Sequence, residues 1–216
     1  MKIVIIGAGG QARIVYEIMS YDRNIEVVAF VDNVMRGNDE QTMGIPVIGD
    51  HTVLPKLIKN GIKGAIVAVG DNETRATHFE ELKSMGLELV SAIHPTSHIA
   101  PSARLGHGST IAIGAIISTG ARIGDNVIIN TGATIDHEDE IEDHVSVGPN
   151  CSIAGRVTVK KGAFIGIGSV VKEYLTIGEN SIIGAGSVVL EDVPDNVVAV
   201  GTPAKVIKTR SEGDTQ

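Results

Sequence analysis

IAIGAIISTGARIGDNVIINTGATIDHEDEIEDHVSVG, Ile111 to Gly148, puts an aliphatic residue at every sixth position: Ile111, Ile117, Ile123, Ile129, Ile135, Ile141 and Val147. The same beat runs outward from Ile99 to Val189 without a missed step. Four positions after each aliphatic residue stands a small or apolar one, such as Ala115, Ala121, Val127, Ala133, Val145 and Cys151. Most glycines fall between these two slots. A period of six fits neither an amphipathic helix nor an ordinary strand. It indicates a parallel β-helix of short strands and tight corners, with aliphatic side chains stacked in an inner column. With three strands and eighteen residues per coil, the segment makes about five coils and a prism roughly 25 Å long.

Composition agrees. The 216 residues include 26 glycines and no tryptophan, with only three phenylalanines and three tyrosines, as a narrow interior of Ile, Val and Ala requires. A net charge of −8 argues against a nucleic-acid partner. Membrane insertion is not expected, since no run approaches the length needed to span a bilayer. The apolar run at Ile3 to Ile6 is too short for a secretory signal. One cysteine, Cys151, excludes an internal disulfide and fits a reducing compartment. The expected location is the cytoplasm.

Residues 1–93 follow a different rule. Apolar runs at Lys2 to Ile6, Val27 to Asp32, Ala65 to Gly70 and Glu88 to Ile93 alternate with helical patterns at Arg13 to Met19, Thr52 to Asn60 and Asn72 to Met85. Strands separated by helices predict a small, Rossmann-like parallel sheet of about four strands. The expected organisation is therefore an α/β domain over 1–93 and an all-β helix over 94–216. GAGGQA (Gly7 to Ala12) lies between the first strand and first helix and has the shape of a phosphate-binding turn. Asp32, ending the second strand, is placed to accept from a ribose hydroxyl. Half of a dinucleotide fold does not suit NAD.

The repeat, the closing segment VLEDVPDNVVAVGTPAKVI (Val189 to Ile207), and the stretches GAGGQA, VDN, VGDNETR and IHPTSHIAPSA together resemble the hexapeptide-repeat sugar acetyltransferases. Within that group the chain is similar to the sialic-acid O-acetyltransferase and bacillosamine-pathway UDP-amino-sugar N-acetyltransferase type. The resemblance implies a left-handed coil, although the general crossover rule favours a right-handed one. It implies acetyl-CoA as co-substrate, a nucleotide-linked amino sugar as acceptor, a role in glycan biosynthesis, and a homotrimer with sites between neighbouring β-helices. Carried onto this sequence, it places acceptor contacts at Gly9, Gly10, Gln11, Asp32, Asn33 and Gly70, and coenzyme A contacts at Ser146, Gly155, Ile167 and Ala185. A relative has histidine where Gln11 stands, so acceptor contacts differ there.

Register then explains the charged insertion Ile135 to Gly148. Ile135 belongs to the inner column, so Asp136, His137 and Glu138 occupy the corner and His137 points outward. By resemblance His137 is the general base and Glu138 raises its basicity. Attack of an amine or hydroxyl on a thioester needs a proton acceptor, and an imidazole oriented by a carboxylate serves that need near neutral pH. Direct attack without an acyl-enzyme follows, since Cys151 sits in an inward slot. No metal is expected in this chemistry. Asp139 also takes an inward slot, where it must either find donors or open the coil, while Glu140, Glu142 and Asp143 read as solvated charges. His144 lies seven residues after His137, whereas the family's second histidine lies nine on, at Ser146. Three other readings remain: a sialic-acid O-acetyltransferase, a zinc hydrolyase of carbonic anhydrase type using His107, His137 and His144, and a non-catalytic scaffold or nucleotide sensor. The histidine–glutamate pair argues against the last.

Overall fold

The computed structural model describes residues 1–33 and 40–210. The α/β part has a four-stranded sheet in the order β2-β1-β5-β6, where β1 is Lys2–Ile6, β2 Glu26–Val31, β5 Gly64–Val67 and β6 Glu88–Leu89. Its neighbours pair in parallel. Helices α1 (Gly10–Met19), α2 (Leu54–Lys59) and α3 (Asn72–Ser84) provide the crossovers. A small hairpin, β3 (Gln41–Thr42) with β4 (Ile45–Pro46), lies between β2 and α2. Ile3 and Ile5 pack on α1, while Val4 and Ile6 pack on the α2/α3 side. The period-2 alternation of β1 thus fills a core on each face.

From Ala92 the chain forms a β-solenoid of about six turns, consistent with a left-handed β-helix, with three faces. Face 1 starts at Ala92–Ile93 and runs through Thr110–Ile111, Ile128–Ile129, Ser146–Val147, Phe164–Ile165 and Ile182–Ile183. Face 2 runs from His98–Ile99 through Thr134–Ile135 to Val188–Val189, and face 3 from Arg104–Leu105 through Glu140–Ile141 to Thr176–Ile177. All neighbours sit 18 residues apart in sequence, as in Ile117↔Ile135↔Ile153. The inner column expected at every sixth residue is buried from Ile111 to Val189, each fully buried Ile or Val contributing about 1.5–3 kcal/mol. At the far end Val197–Gly201 extends face 1 and pairs antiparallel with Ala204–Thr209, which closes the prism.

One strand expectation changes. Glu88 to Ile93 reads as one strand, but only Glu88–Leu89 joins the α/β sheet, while Ala92–Ile93 pairs with Thr110–Ile111. Ile93 stands six residues before Ile99, so the hexad extends one step further back than the sequence pattern indicates. That step adds a third of a coil, and with the closing strand Val197–Gly201 at the far end the solenoid reaches about six turns.

The corners obey a conformational rule. Every sixth residue from Gly108 to Gly186 has positive φ. Glycine or asparagine fills these places except at Glu138, His144, Arg156 and Tyr174, with φ of 59°, 62°, 62° and 63°.

Candidate active site

Asp139 faces the prism interior and is fully buried. Its two carboxylate oxygens accept backbone N–H groups, Val157 N at 2.8 Å and Asp136 N at 2.9 Å. Of the two sequence alternatives, the residue has therefore found donors. Burial pushes its carboxyl up to about 7, with the two N–H donors pulling the other way. Serines do comparable work in other inward slots: the Ser109 hydroxyl accepts from Val127 N at 2.9 Å. Asp139 thus stiffens the corner that carries His137.

His137 stands outside that corner, between faces 2 and 3, with its side chain half exposed. Its Nδ1 faces Glu138 Oε2 at 3.4 Å. The same carboxylate oxygen accepts Arg156 Nε at 2.6 Å, and an Arg156 terminal nitrogen lies 3.0 Å from the Tyr174 hydroxyl. The Arg156 hydrogen bond and charge hold the Glu138 carboxyl below its usual range, so it is an anion at neutral pH. Glu138, Arg156 and Tyr174 lie 18 residues apart and stack one above another on successive coils. Beneath the imidazole is Gly155, where an added Cβ would come within 2.6 Å of His137 Cε1 and closer still to Nε2. A glycine is what lets the ring lie flat here.

The other charges of the insertion have partners as well. Glu140 pairs with Arg122 at 3.2 Å on face 3. Glu142 accepts Lys161 N and Asp143 accepts Asp125 N on adjacent coils. Glu142 and Asp143 satisfy coil-edge amides and Glu140 an arginine on the neighbouring coil, which is why a strict repeat tolerates them.

His144 is buried at the corner between faces 3 and 1, where its Nδ1 pairs with Asn126 Nδ2 at 2.9 Å and its ring meets Phe79 edge-on at 5.7 Å. Burial pushes its imidazole down. It belongs to the seam between the two domains. Arg75 of α3 anchors that seam, almost fully buried. It donates to the carbonyls of Gly70, Asn126 and His144 at 3.0, 3.2 and 2.8 Å, and to Ser146 Oγ at 3.1 Å. Asn72 donates from Nδ2 to Gly162 O and Ala163 O, and its Oδ1 accepts from Ser146 Oγ at 2.7 Å. The motif VGDNETR therefore does structural work the sequence reading did not assign. Cys151 is buried, its thiol donates to Gly166 O at 3.0 Å, and burial pushes the thiol up. A nucleophilic thiolate is not available there.

Across the seam lies a cavity of about 270 Å³. Gln11 and Gly70 of the α/β domain line it together with Ser146, Phe164, Ile167 and Ala185 of face 1 and its following corner. Residues expected to touch acceptor and residues expected to touch coenzyme A thus share one wall. Ser146 contributes little beyond shape, since Asn72 and Arg75 occupy its hydroxyl. Behind the cavity, Asp32 Oδ2 accepts Ala8 N at 2.7 Å and so ties the glycine turn to the end of β2. Gly9 caps α1 with no side-chain cap hydrogen bond. Nothing lies within 4 Å of an added Cβ at Gly9, Gly10 or Gly70. Asn33 is exposed beside them. His137 and Gly155 are not part of this wall: they stand on the vertex of the prism opposite face 1. Among the described residues, His107, His137 and His144 form no cluster of metal-ligand dimensions.

A prism of hexapeptide coils with an exposed, carboxylate-backed histidine on one vertex and an α/β domain on the opposite face defines a hexapeptide-repeat acyltransferase. Residues 2–82 match the family model for the PglD N-terminal domain, and residues 156–191 match that for the bacterial transferase hexapeptide (six repeats). Among solved structures, the chain is similar to PerB from Caulobacter crescentus in complex with CoA and GDP-perosamine, at 40% identity and TM-score 0.91, covering 96% of this chain and 98% of that one. It is also similar to the acetyltransferase domain of PglB from Neisseria gonorrhoeae in complex with acetyl coenzyme A, at 31% identity and TM-score 0.86, covering 95% and 98%. WeeI from Acinetobacter baumannii shares the fold at 23% identity and TM-score 0.87, covering 96% and 100%. No curated protein sequence gives a significant match. The chain belongs to the PglD family of hexapeptide-repeat sugar acetyltransferases. No helix among the described residues is long and apolar enough to cross a membrane.

Proposed function

We propose that this enzyme transfers the acetyl group of acetyl-CoA to the amino group of a nucleotide-linked amino sugar, with His137 as general base. The observation that carries the reading is the half-exposed imidazole lying over Gly155 with Glu138 behind it. His137 accepts a proton from the sugar amine as nitrogen attacks the thioester carbonyl. The tetrahedral intermediate then collapses, the C–S bond breaks, and the His137 imidazolium returns its proton to the departing sulfur, so that coenzyme A leaves as the thiol. Glu138 fixes the tautomer and stabilises the imidazolium. The relatives in complex with CoA and GDP-perosamine support amine over hydroxyl as acceptor class. The open helix N-terminus at Gly9 and Gly10 suits the phosphates of the nucleotide, with Asp32 and Asn33 at its ribose and base end.

Geometry also supports a homotrimer. The acceptor wall lies on face 1 and His137 on the opposite vertex, so one chain alone cannot bring base and acceptor together. A neighbouring copy can, by setting its own vertex against the corner that carries Ile167 and Ala185. Exposed Ile113, Ile116, Ile167 and Val170 lie along that corner and face 2, an apolar strip of the kind subunit contacts cover. Three-sided prisms pack naturally about a threefold axis.

The test is complementation between subunits. His137→Ala chains lack the base, and Gly70→Glu chains put a carboxylate into the acceptor cavity without burying it. Each alone is expected to be inactive against acetyl-CoA and a nucleotide-linked amino sugar, while the co-assembled mixture regains turnover. A monomer in solution, or full activity of His137→Ala, contradicts the proposal.

A further inference from the structure

Away from the vertex and the acceptor cavity, the α/β domain gathers three metal-competent side chains. His51 opens the 3₁₀ turn His51–Val53, and His78 and Glu81 stand one helical turn apart on α3. One ligand atom from each can be chosen so that all three lie within 4.8 Å of one another. His51 Nδ1 sits 2.6 Å from Glu81 Oε2 and His78 Nδ1 sits 3.8 Å from the same oxygen. The two rings lean together with centroids 4.3 Å apart. His78 Nδ1 is buried and has no hydrogen-bond partner. Buried polar atoms almost always have a partner, so this lone pair asks for one.

We propose that His51, His78 and Glu81 form a divalent transition-metal site that clamps the His51 turn to α3. Three ligands at metal distances of about 2.1 Å in a tetrahedral arrangement stand roughly 3.4 Å apart. The present separations bracket that value, so the site needs shifts of about an ångström or less. Two imidazoles and one carboxylate with a fourth position for water select Zn²⁺, Co²⁺ or Ni²⁺ over Mg²⁺ or Ca²⁺, which require oxygen ligands. His78 is suited to bind as a neutral ring: burial and the neighbouring His51 push its imidazole down. Metal entry replaces the contact between His51 and Glu81 by two metal bonds and satisfies His78 Nδ1.

The site has a link to the acceptor end of the sheet. Asp32 N donates to Gly49 O, two residues before His51, and the Asp32 carboxylate acts electrostatically on His78. A bound cation therefore fixes the backbone that carries Asp32 and adds positive charge behind it. This site is separate from the transfer chemistry, and its failure leaves the acetyltransferase reading intact.

The experiment uses tag-free, chelator-treated protein titrated with Co²⁺ and Zn²⁺, read by Co²⁺ visible absorption and by calorimetry. One equivalent of Co²⁺ per chain with a four- or five-coordinate spectrum is expected, displaced by Zn²⁺. Zn²⁺ is also expected to raise the melting temperature. His51→Asn, His78→Asn and the conservative Glu81→Gln, each checked for fold by circular dichroism, are expected to weaken binding at least 10-fold. Absence of saturable one-to-one binding, or binding that survives in a folded His51→Asn or Glu81→Gln protein, overturns the proposal.

Discussion

Gly155→Ala tests the placement of the base more sharply than deletion of the base itself. An alanine Cβ here meets His137 Cε1 at 2.6 Å and Nε2 closer still, against an ordinary contact distance near 3.4 Å. The imidazole must retreat by roughly an ångström, and it can, because half of its side chain already faces solvent. The backbone imposes no penalty, since Gly155 does not have positive φ. Loss of glycine's freedom in the unfolded chain offsets small repacking costs, so stability should change by less than about 1 kcal/mol. Catalysis should change far more. A misplacement of about 1 Å costs on the order of 100-fold in turnover, or about 2.7 kcal/mol of barrier. Steady-state kinetics with acetyl-CoA and a nucleotide-linked amino sugar, alongside a melting curve, read both quantities. The expected result is kcat down about 100-fold with an unchanged melting temperature. A folded, correctly assembled Gly155→Ala enzyme within twofold of wild-type kcat would refute the claim that the ring works from this position.

Arg156→Gln removes the strongest brace on Glu138, and kcat should fall several-fold in steady-state assays. An unchanged kcat would show that the guanidinium does not reach the chemistry. Asp139 takes up a proton on folding between the unfolded value of 3.8 and about 7. Its contribution to stability is therefore greatest at low pH and falls as pH rises through that window, by on the order of 4 kcal/mol; Asp139→Asn should abolish that slope in denaturant titrations run from pH 4.5 to 8. Arg75→Met strands the carbonyls of Gly70, Asn126 and His144, and should lower stability by about 3 kcal/mol, with faster hydrogen exchange at the start of α3.

Much of the prism was legible because its physics is one-dimensional. An inner column filled every sixth residue leaves a clear periodic trace, and that register sets Ile135 inward and His137 outward. The α/β strands were also readable, being short apolar runs between helices. What escaped had no periodic trace. The hairpin at Gln41–Thr42 and Ile45–Pro46 turns through Met43 and Gly44, and methionine is not a turn signal. Glu88 to Ile93 runs without glycine or proline, so the first coil looked like the end of a sheet strand. Arg75 reads as one more polar residue on a largely polar helix, and only the docked solenoid reveals that it is buried. Where the proposed acceptor wall lies relative to His137 depends on which face the α/β domain covers, and no local pattern encodes that.

Arg156 and Tyr174, by contrast, did leave a signal. The corner places from Gly108 to Gly186 demand a left-handed backbone, which costs an ordinary side chain about 1–2 kcal/mol, and the repeat meets the demand with glycine or asparagine. Four corners refuse. His144 is compensated by its burial against Phe79 and Asn126 at the domain seam. Glu138, Arg156 and Tyr174 are exposed and gain little from packing, yet all three fall on one vertex, coil above coil, beside the same imidazole. Strain that packing does not offset, gathered at one place on an otherwise regular surface, points to a function kept there at the expense of stability. Replacing Tyr174 by glycine should therefore stabilise the chain while loosening Arg156, and with it Glu138. Three of the four departures from the corner rule fall on this vertex, and the fourth, His144, is set apart by its burial in the domain seam.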